Sequence, residues 1–452
     1  MESMDRRKFI KRAGTSAVGL VAAGPFIKSG FAKDSPNDRV NVAVMGIRSR
    51  GQAHAEDLAR LKNVDVTVLC DIDERLFPET VALVEKVSGK KPRTETDIRK
   101  VLEDKDVHAI SIASPNHWHA LAAIWACQAG KDVYVEKPVS HNIREGRKIV
   151  EAARKYNRIV QTGTQSRSSS VCQTAMEFLH SGGIGELYMA RSCLIKARDS
   201  FGRAANSPVP PGVHYDLWLG PAPWRPFNEK RFHYNWHWFW DTGNGETGNT
   251  GPHNCDRARW GLQEYEHPRK IQSLGGMYLW KDCDQETPNH QVSVMEYPDG
   301  KIIQLEVRGH YSNSEEGILQ GEFFYGSEGW LKLGGNSWQS YFGRKNEPGK
   351  GMGSDESKAQ AEKLDLRGTG GSPHFQNFID CVRSRRQQDL AADILEGHLS
   401  TAMCHLCNIA YRTGQTLVFD SENEKFVGEG EDEAEIYLSR EYRYPYVVPE
   451  NV

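Results

Sequence analysis

The sequence predicts an α/β protein: a doubly wound domain on a parallel sheet, then an α+β domain whose sheet is open and mostly antiparallel. Three observations lead there. Short apolar runs alternate with helical stretches between residues 40 and 164. The first run ends in a turn that carries Gly46 and Gly51. Beyond Gln165 the alternation gives way to neighbouring strands joined by tight turns. Strands alternating with helices make a parallel sheet covered on both faces, whereas consecutive hairpins make an antiparallel one.

Residues 40–45 read as the first strand, and Gly46-Ile47-Arg48-Ser49-Arg50-Gly51 turns it into a helix beginning near Ala53. A second strand, 64–70, ends at Asp71. Further strands are expected at 108–113, 133–135 and 159–162, with helices near 76–87, 119–129 and 144–156; on this count 133–135 is the fourth strand. In the second domain 170–180 reads as a helix and 187–194 as a strand. One hairpin turns at Pro298-Asp299-Gly300 between 292–297 and 302–307, another at Ser327-Glu328-Gly329. Two late helical stretches, 375–385 and 396–411, are expected to return toward the first domain, and the acidic run 429–435 reads as a solvated tail. The expected limits are an export signal over 1–32, the first domain over 38–164, the second over 165–430 and a tail over 431–452.

With 452 residues, 38% hydrophobic content and a net charge of −3, the chain can bury the cores of two or three domains. It carries no long basic stripe, which argues against nucleic acid as a partner. Asp5-Arg6-Arg7-Lys8-Phe9-Ile10-Lys11, a mildly apolar stretch over 13–24 and the small-residue exit Gly30-Phe31-Ala32 resemble a twin-arginine export leader. The bland alternative is an amphipathic basic helix. The apolar part is too short to span a bilayer, and no later stretch approaches spanning length, so no stable membrane span is expected. The leader implies the twin-arginine export machinery as a partner and a periplasmic location. That route carries proteins already folded, which suits nine scattered cysteines without framework spacing. Cys404-His405-Leu406-Cys407 has the spacing of a metal pair, but no second pair lies near it in the sequence, and no metal is expected.

The chemistry concentrates at two places. Dinucleotide folds put glycines in the first βα turn so that backbone amides approach a pyrophosphate at the helix N-terminus. Here Gly46 and Gly51 hold the outer positions, Ile47 and Ser49 supply backbone between them, and Arg48 stands where a central glycine is usual. Arg48 either obstructs close approach or itself contacts phosphate or nicotinamide. Asp71 at the end of the second strand suits adenosine ribose hydroxyls and repels a 2′-phosphate, favouring NAD over NADP; Arg75 weakens that preference. A helix N-cap is the plainer role for Asp71. The second place is Lys137, in Val133-Tyr134-Val135-Glu136-Lys137-Pro138. An amine at the carboxyl end of a buried strand, beside a cationic nicotinamide, has its pKa drawn toward neutrality and suits exchange of a substrate's hydroxyl proton.

Residues 42–51, Asp71, Ser114-Pro115-Asn116-His117-Trp118-His119 and Glu136-Lys137-Pro138 together resemble the Gfo/Idh/MocA oxidoreductases, a family that includes glucose-fructose oxidoreductase and inositol dehydrogenases. The resemblance covers nearly the whole chain after the leader, and Glu-Lys-Pro is its most specific part. It implies a Rossmann domain, a C-terminal α/β domain with an open sheet, a nicotinamide cofactor and usually a sugar or polyol substrate. By motif it implies that Ser114, Asn116 and His119 line the cofactor, that Glu136 sits beside the nicotinamide ribose, and that Lys137 reaches the reacting oxygen. It implies further that Trp224 and Arg225 approach the cofactor from the second domain. Gln165 and Arg167 are expected to face the same cleft, or else to hydrogen-bond within their loop.

The family's dehydrogenases tend to carry an Asp four residues before a His on a helix, and the matching positions here are Asn249 and His253. A spacing of four places both on one helical face. An amide orients a hydroxyl but does not take its proton, so acid/base work falls to Lys137 and His253. The aromatic segment 232–241 adds Tyr234, His237 and Asp241 as candidates for sugar hydroxyls; aromatic packing alone explains the same composition.

The resulting expectation is a periplasmic NAD-dependent oxidoreductase that moves hydride to or from a carbinol carbon of a sugar, polyol or glycoside, with a tightly held cofactor. Where free NAD is scarce, the nucleotide must return to its starting state in every turnover. Pairing a sugar oxidation with a sugar reduction does this. So does an NAD-dependent glycoside hydrolase, by C3 oxidation, elimination, water addition and re-reduction, as some of the family's relatives work. A third reading is a non-catalytic sugar or nucleotide sensor on the same fold. The open sheet face suits a homo-oligomer.

Overall fold

The computed structural model describes residues 39–310, 313–353 and 372–452; the export signal expected over residues 1–32 lies outside them. The first sheet holds β1 (Val40–Met45), β2 (Val64–Cys70), β3 (Arg93–Glu95), β4 (Ala109–Ile112), β5 (Asp132–Val135) and β6 (Val160–Thr162), in the order 3-2-1-4-5-6. All of these strands pair in parallel. The order reverses between β1 and β4, which opens a crevice beyond their carboxyl ends. β4 and β5 are buried along their whole length, so their sequences run apolar instead of alternating.

Two elements differ from expectation. β3 is a three-residue edge strand with exposed polar side chains, and the helix Ile98–Glu103 follows it; neither is long enough to show a period. The strand ending in Val135 is therefore the fifth and not the fourth. The first helix also starts earlier, at Arg50, because the glycine turn feeds into it directly.

The second sheet holds β7 (Leu187–Ile195), β8 (Lys270–Gly276), β9 (His290–Glu296), β10 (Ile302–Arg308), β11 (Gln320–Gly326), β12 (Gly329–Leu333), β13 (Trp338–Phe342), β14 (Glu347–Met352), β15 (Leu417–Asp420) and β16 (Lys425–Phe426). Their order is 14-13-12-11-7-10-9-8-15-16. β7 and β10 pair in parallel, while both expected hairpins, β9 with β10 and β11 with β12, are antiparallel. The helices Ser170–His180, Gly251–Leu262 and Ile394–Thr413 bury the inner side of this sheet, where Met295, Leu305 and Phe324 meet Cys255 and Met403. The outer side alternates to solvent and leaves Leu274 78% exposed, with Val292 and Val294 beside it also exposed.

The helix Pro373–Ser384 returns to the first domain, with Phe375 and Phe378 packed on Tyr134 of β5 at 4.3 and 5.9 Å between ring centroids. The acidic run is not a free tail. Glu431–Glu435 forms a short helix with Ala434 buried, and Tyr446, Val448 and Val452 beyond it pack into the core around Trp118. Apolar anchors on both sides of the run outweigh its charge. Among the described residues no helix is long and apolar enough to cross a membrane.

Candidate active site

The carboxyl ends of β1, β4 and β5 open into a cleft of about 580 Å³, walled on the far side by Trp218, Tyr234, Trp236 and His237. Gly46 makes the turn out of β1 with φ +77°, and a Cβ there would lie 2.7 Å from the Ser114 nitrogen. Gly51 lets the following helix pack onto the turn, since its Cβ would fall 1.6 Å from the Gly46 oxygen. Gly46, Arg48 and Ser49 line the cleft. Gly51 and Ile47 do not: Gly51 is buried behind the turn, and Ile47, 1% exposed, is a core side chain. These two shape the turn and do not line the cleft.

Asp71 lines the same end. Its carboxylate accepts from the Ile47 N–H at 2.8 Å and the Asp73 N–H at 3.0 Å. Burial raises its pKa to about 6 despite these two bonds. Asp73, not Asp71, caps the following turn, accepting from the Arg75 N–H at 3.2 Å. Asp73 also holds the Arg75 guanidinium through two bonds of 2.7 Å, so that cation is already paired. The hydroxyl of Ser114 is buried in the cleft wall with no partner, and Asn116 is tied across to Asn244 by a 3.0 Å bond. Close backbone, a carboxylate at the end of β2 and an unpartnered hydroxyl make a donor and acceptor set that fits a dinucleotide.

At the end of β5 lies a buried polar cluster. Glu136 accepts from Arg50 Nε at 2.8 Å, Gln165 Nε2 at 3.0 Å and its neighbour's Lys137 N–H at 3.2 Å, with His54 Nε2 at 3.1 Å. Burial alone would raise its carboxyl, but the His54 bond and the Arg50 charge outweigh that and hold it well below the usual carboxylate range. A Cβ on Gly163 would come within 2.8 Å of this carboxyl group, so the glycine makes room for it. Lys137 Nζ donates to the backbone carbonyl of Asn249 at 2.9 Å. Burial lowers its pKa, against the pull of Glu136 and Glu246. His119 lines the cleft, but both ring nitrogens face backbone oxygens, Pro138 at 2.6 Å and Ser114 at 2.7 Å; it ties two strand ends together.

The second domain supplies Tyr234, His237, Asn249 and His253 to the cleft. Asn249 ends the short helix Gly245–Asn249, and His253 lies in the next helix, Gly251–Leu262, so they reach the cleft across a helix break and not from one continuous face. Burial pushes His253 and His237 down to about 3, so both rings are neutral near pH 7. His237 Nδ1 lies 2.5 Å from the Tyr234 carbonyl; donating there leaves Nε2 as an acceptor. The Tyr234 hydroxyl accepts from Arg198 at 2.8 Å.

Other expected positions fall elsewhere. Trp224 is 69% exposed and outside the cleft wall; Trp218, six residues earlier, lines the cleft instead. Arg225 and Asp241 pair with each other, and Arg225 also bonds Glu286 at 2.8 Å. Arg167 is held by Asp256 at 2.9 Å and Glu396 at 2.9 Å. Saturated ion pairs keep these groups from the cleft. Sequence reasoning gave no role to Arg50, His54 or Trp218: His54 stands in no motif, and for Arg50 and Trp218 the motif does not say where the side chain points. Cys404 and Cys407 are buried in a helix, 3.7 Å from Cys255 Sγ and Met295 Sδ respectively. Among the described residues, His267, His398 and Glu424 come together as metal ligands do, but Arg147 already neutralises that carboxylate at 2.6 Å.

The profile of an oxidoreductase family with an NAD-binding Rossmann fold matches residues 40–164, and the profile of that family's C-terminal alpha/beta domain matches 201–322 and 360–448. Glycosyl hydrolase family 109 protein 1 of Shewanella sp. (strain ANA-3) is 27% identical over 172 residues, which span 34% of this chain and 38% of that protein. The WlbA dehydrogenase from Bordetella pertussis, solved with NADH and UDP-GlcNAcA, superposes with a TM-score of 0.62 at 19% identity, covering 84% of this chain and 98% of that one. The aldose-aldose oxidoreductase from Caulobacter crescentus, solved with glycerol, gives 0.61 at 14% identity, covering 84% and 100%.

Proposed function

Because the chain belongs to the Gfo/Idh/MocA oxidoreductase family, we propose that it is an NAD-dependent oxidoreductase that moves hydride to or from a carbinol carbon of a sugar, polyol or glycoside. The observation that carries this reading is Lys137, an amine with a lowered pKa at the cleft end of β5, bonded to the second domain and next to an anchored carboxylate. Bound in the cleft, NAD would supply the hydride acceptor. Gly46, Ser49, Asp71 and Ser114 would hold it, and Asp71, with Arg75 already paired, supports NAD over NADP.

Lys137 exchanges the proton of the reacting hydroxyl, since burial lowers its pKa and makes the ammonium a readier proton donor than an exposed lysine. Neutral His253 and the free Nε2 of His237 bond neighbouring hydroxyls without bringing a charge. Trp218, Trp236 and Tyr234 offer apolar faces to a sugar ring. The names of the structural neighbours, a dehydrogenase with a nucleotide sugar and an aldose-aldose oxidoreductase, support this substrate class.

The Arg6-Arg7 leader supports export by the twin-arginine route and a periplasmic site of action with the nucleotide kept bound through turnover. The exposed apolar patch of Leu274, Val292 and Val294 on the outer side of the second sheet supports association of copies. A second reading, an NAD-dependent glycoside hydrolase, is favoured by the likeness to a family 109 glycosyl hydrolase over 172 residues and by Asn249, which cannot take a proton.

The test is to denature purified protein and identify the released nucleotide by mass spectrometry, then to supply sugars or aryl glycosides without added cofactor. Paired conversion of a sugar donor and acceptor supports the oxidoreductase; aglycone release supports the hydrolase. A protein that neither carries nor takes up NAD or NADP defeats both.

A further inference from the structure

Glu246 is absent from the cleft wall, yet three polar side chains converge on its buried carboxylate. Arg198 holds it through Nε at 2.9 Å, with a second guanidinium nitrogen at 2.8 Å. The Thr250 hydroxyl donates to it from one turn on. Asn249 Nδ2 approaches its two oxygens at 3.4 and 3.5 Å. An amide whose nitrogen faces a carboxylate turns its oxygen the other way, and Asn249 lines the cleft. Arg198 in turn bonds the Tyr234 hydroxyl and lies over the rings of Tyr234 and Trp238 at 5.6 and 5.3 Å, so one ion pair ties together the amide and the aromatic wall.

We infer that Glu246 is a positioning residue for the reaction: pinned by Arg198, its carboxylate holds the Asn249 amide with its oxygen toward the cleft and keeps a negative charge behind Lys137. The sequence position expected to carry a carboxylate in this family's dehydrogenases carries an amide here, and the charge stands three residues earlier, out of contact with the ligand. It acts through its neighbours. The Asn249 oxygen then accepts from a substrate hydroxyl that keeps its proton, while Lys137 alone handles the proton of the reacting one. This assignment rests on the oxidoreductase reading for its chemistry.

The charged and titratable groups facing Lys137 are Glu136 on its own strand end, Arg50 on the first helix, Lys196 beyond β7, His237 in the aromatic segment, His253 and Glu246 on the second-domain helices, Cys404 on the long late helix, and His119. Of these, only Glu136 and Glu246 are carboxylates, and both favour the ammonium. Removing the charge of Glu246 therefore makes Lys137 lose its proton at lower pH.

The full chain, wild type and Glu246→Gln, is treated with acetic anhydride across a pH series; acetylation of Lys137 is followed by peptide mass spectrometry, and NAD affinity is titrated alongside. Glutamine keeps the shape without the charge, so half-maximal labelling moves down by about one pH unit with NAD affinity retained. A purely structural tie leaves the profile in place, and an unmoved profile in a folded variant overturns the inference. If that variant does not fold, Glu246→Asp, which withdraws the charge by one methylene, shows the same shift at smaller size, and no shift there overturns it equally. Wild-type protein that binds no NAD would instead defeat the oxidoreductase reading and leave the labelling result intact.

Discussion

Lys137 Nζ donates to the Asn249 backbone carbonyl at 2.9 Å, joining the end of β5 to a helix end of the second domain. The bond uses the backbone of Asn249, so its side chain stays available to the cleft. The ammonium is thereby held where the two domains meet, with the nucleotide turn on one side and the histidines of the second domain on the other. Proton exchange is the role this placement allows.

Lys137→Ala removes that group without touching Gly46, Asp71 or Ser114. Turnover is expected to fall by about two to four decades, with NAD affinity close to that of the wild type. Steady-state kinetics together with a nucleotide titration check it. Near-normal turnover in the variant would dismiss Lys137 as the proton-exchanging group.

Asp71 makes nucleotide affinity depend on pH. Burial raises its pKa to about 6, so below that pH the free protein carries a neutral carboxyl, a poorer acceptor for ribose hydroxyls. NAD is expected to bind more weakly as pH falls from 7 to 5. Asp71→Asn should remove that dependence and narrow the preference for NAD over NADP by about an order of magnitude, because the repelling charge is gone. Calorimetric titration of both nucleotides at the two pH values decides it; a wild-type affinity flat across the range is the contrary result.

How much of this was legible in the sequence follows from how local each signal is. The strand ends, the glycine turn and Lys137 lie in short runs where neighbours in sequence are neighbours in space. The partners of Glu136 do not: His54 and Arg50 stand 82 and 86 residues away, on a helix with nothing unusual in its pattern. β3 is too short and too polar to show a period. The segment around Trp218 and Trp224 was read by motif, but motif does not say which tryptophan the short helix Tyr215–Leu219 turns inward. It buries Trp218 and leaves Trp224 in solvent.

His374 carries a stability prediction. Its Nε2 meets the Thr162 carbonyl at 2.9 Å and its Nδ1 meets the Ser168 hydroxyl at 2.7 Å, one donor and one acceptor, which a neutral ring satisfies. Burial accordingly lowers its pKa to about 4, against about 6.5 in an unfolded chain. Between those values the unfolded chain binds a proton that the native one does not, so stability falls as pH drops from 6.5 toward 4, by about 1.4 kcal/mol per pH unit for this group. Denaturant unfolding across that range should show a shallower slope in His374→Gln. An unchanged slope would remove His374 from the acid response.

Glu136 responds to acid in the same direction, at lower pH, because its folded pKa too is depressed. Its carboxylate adds stability above the ordinary glutamate pKa of about 4.5, and that contribution is lost as pH falls toward the depressed folded value. Glu136→Gln leaves the Arg50 charge without its partner; with the amide oxygen facing Arg50, His54 and Gln165, the amide N–H is turned toward the Lys137 N–H, which already donates there. Removing one member of a buried pair costs about 3–5 kcal/mol; since Arg50 is 47% exposed and partly screened, the low end, about 3 kcal/mol, is expected here. The loss should be largest at neutral pH and shrink in acid, where the unfolded wild-type chain takes up a proton on this carboxyl. Thermal unfolding at pH 7 and pH 4 measures this, and a difference in Tm that is the same at both would mean that the carboxylate is held for its shape and not for its charge.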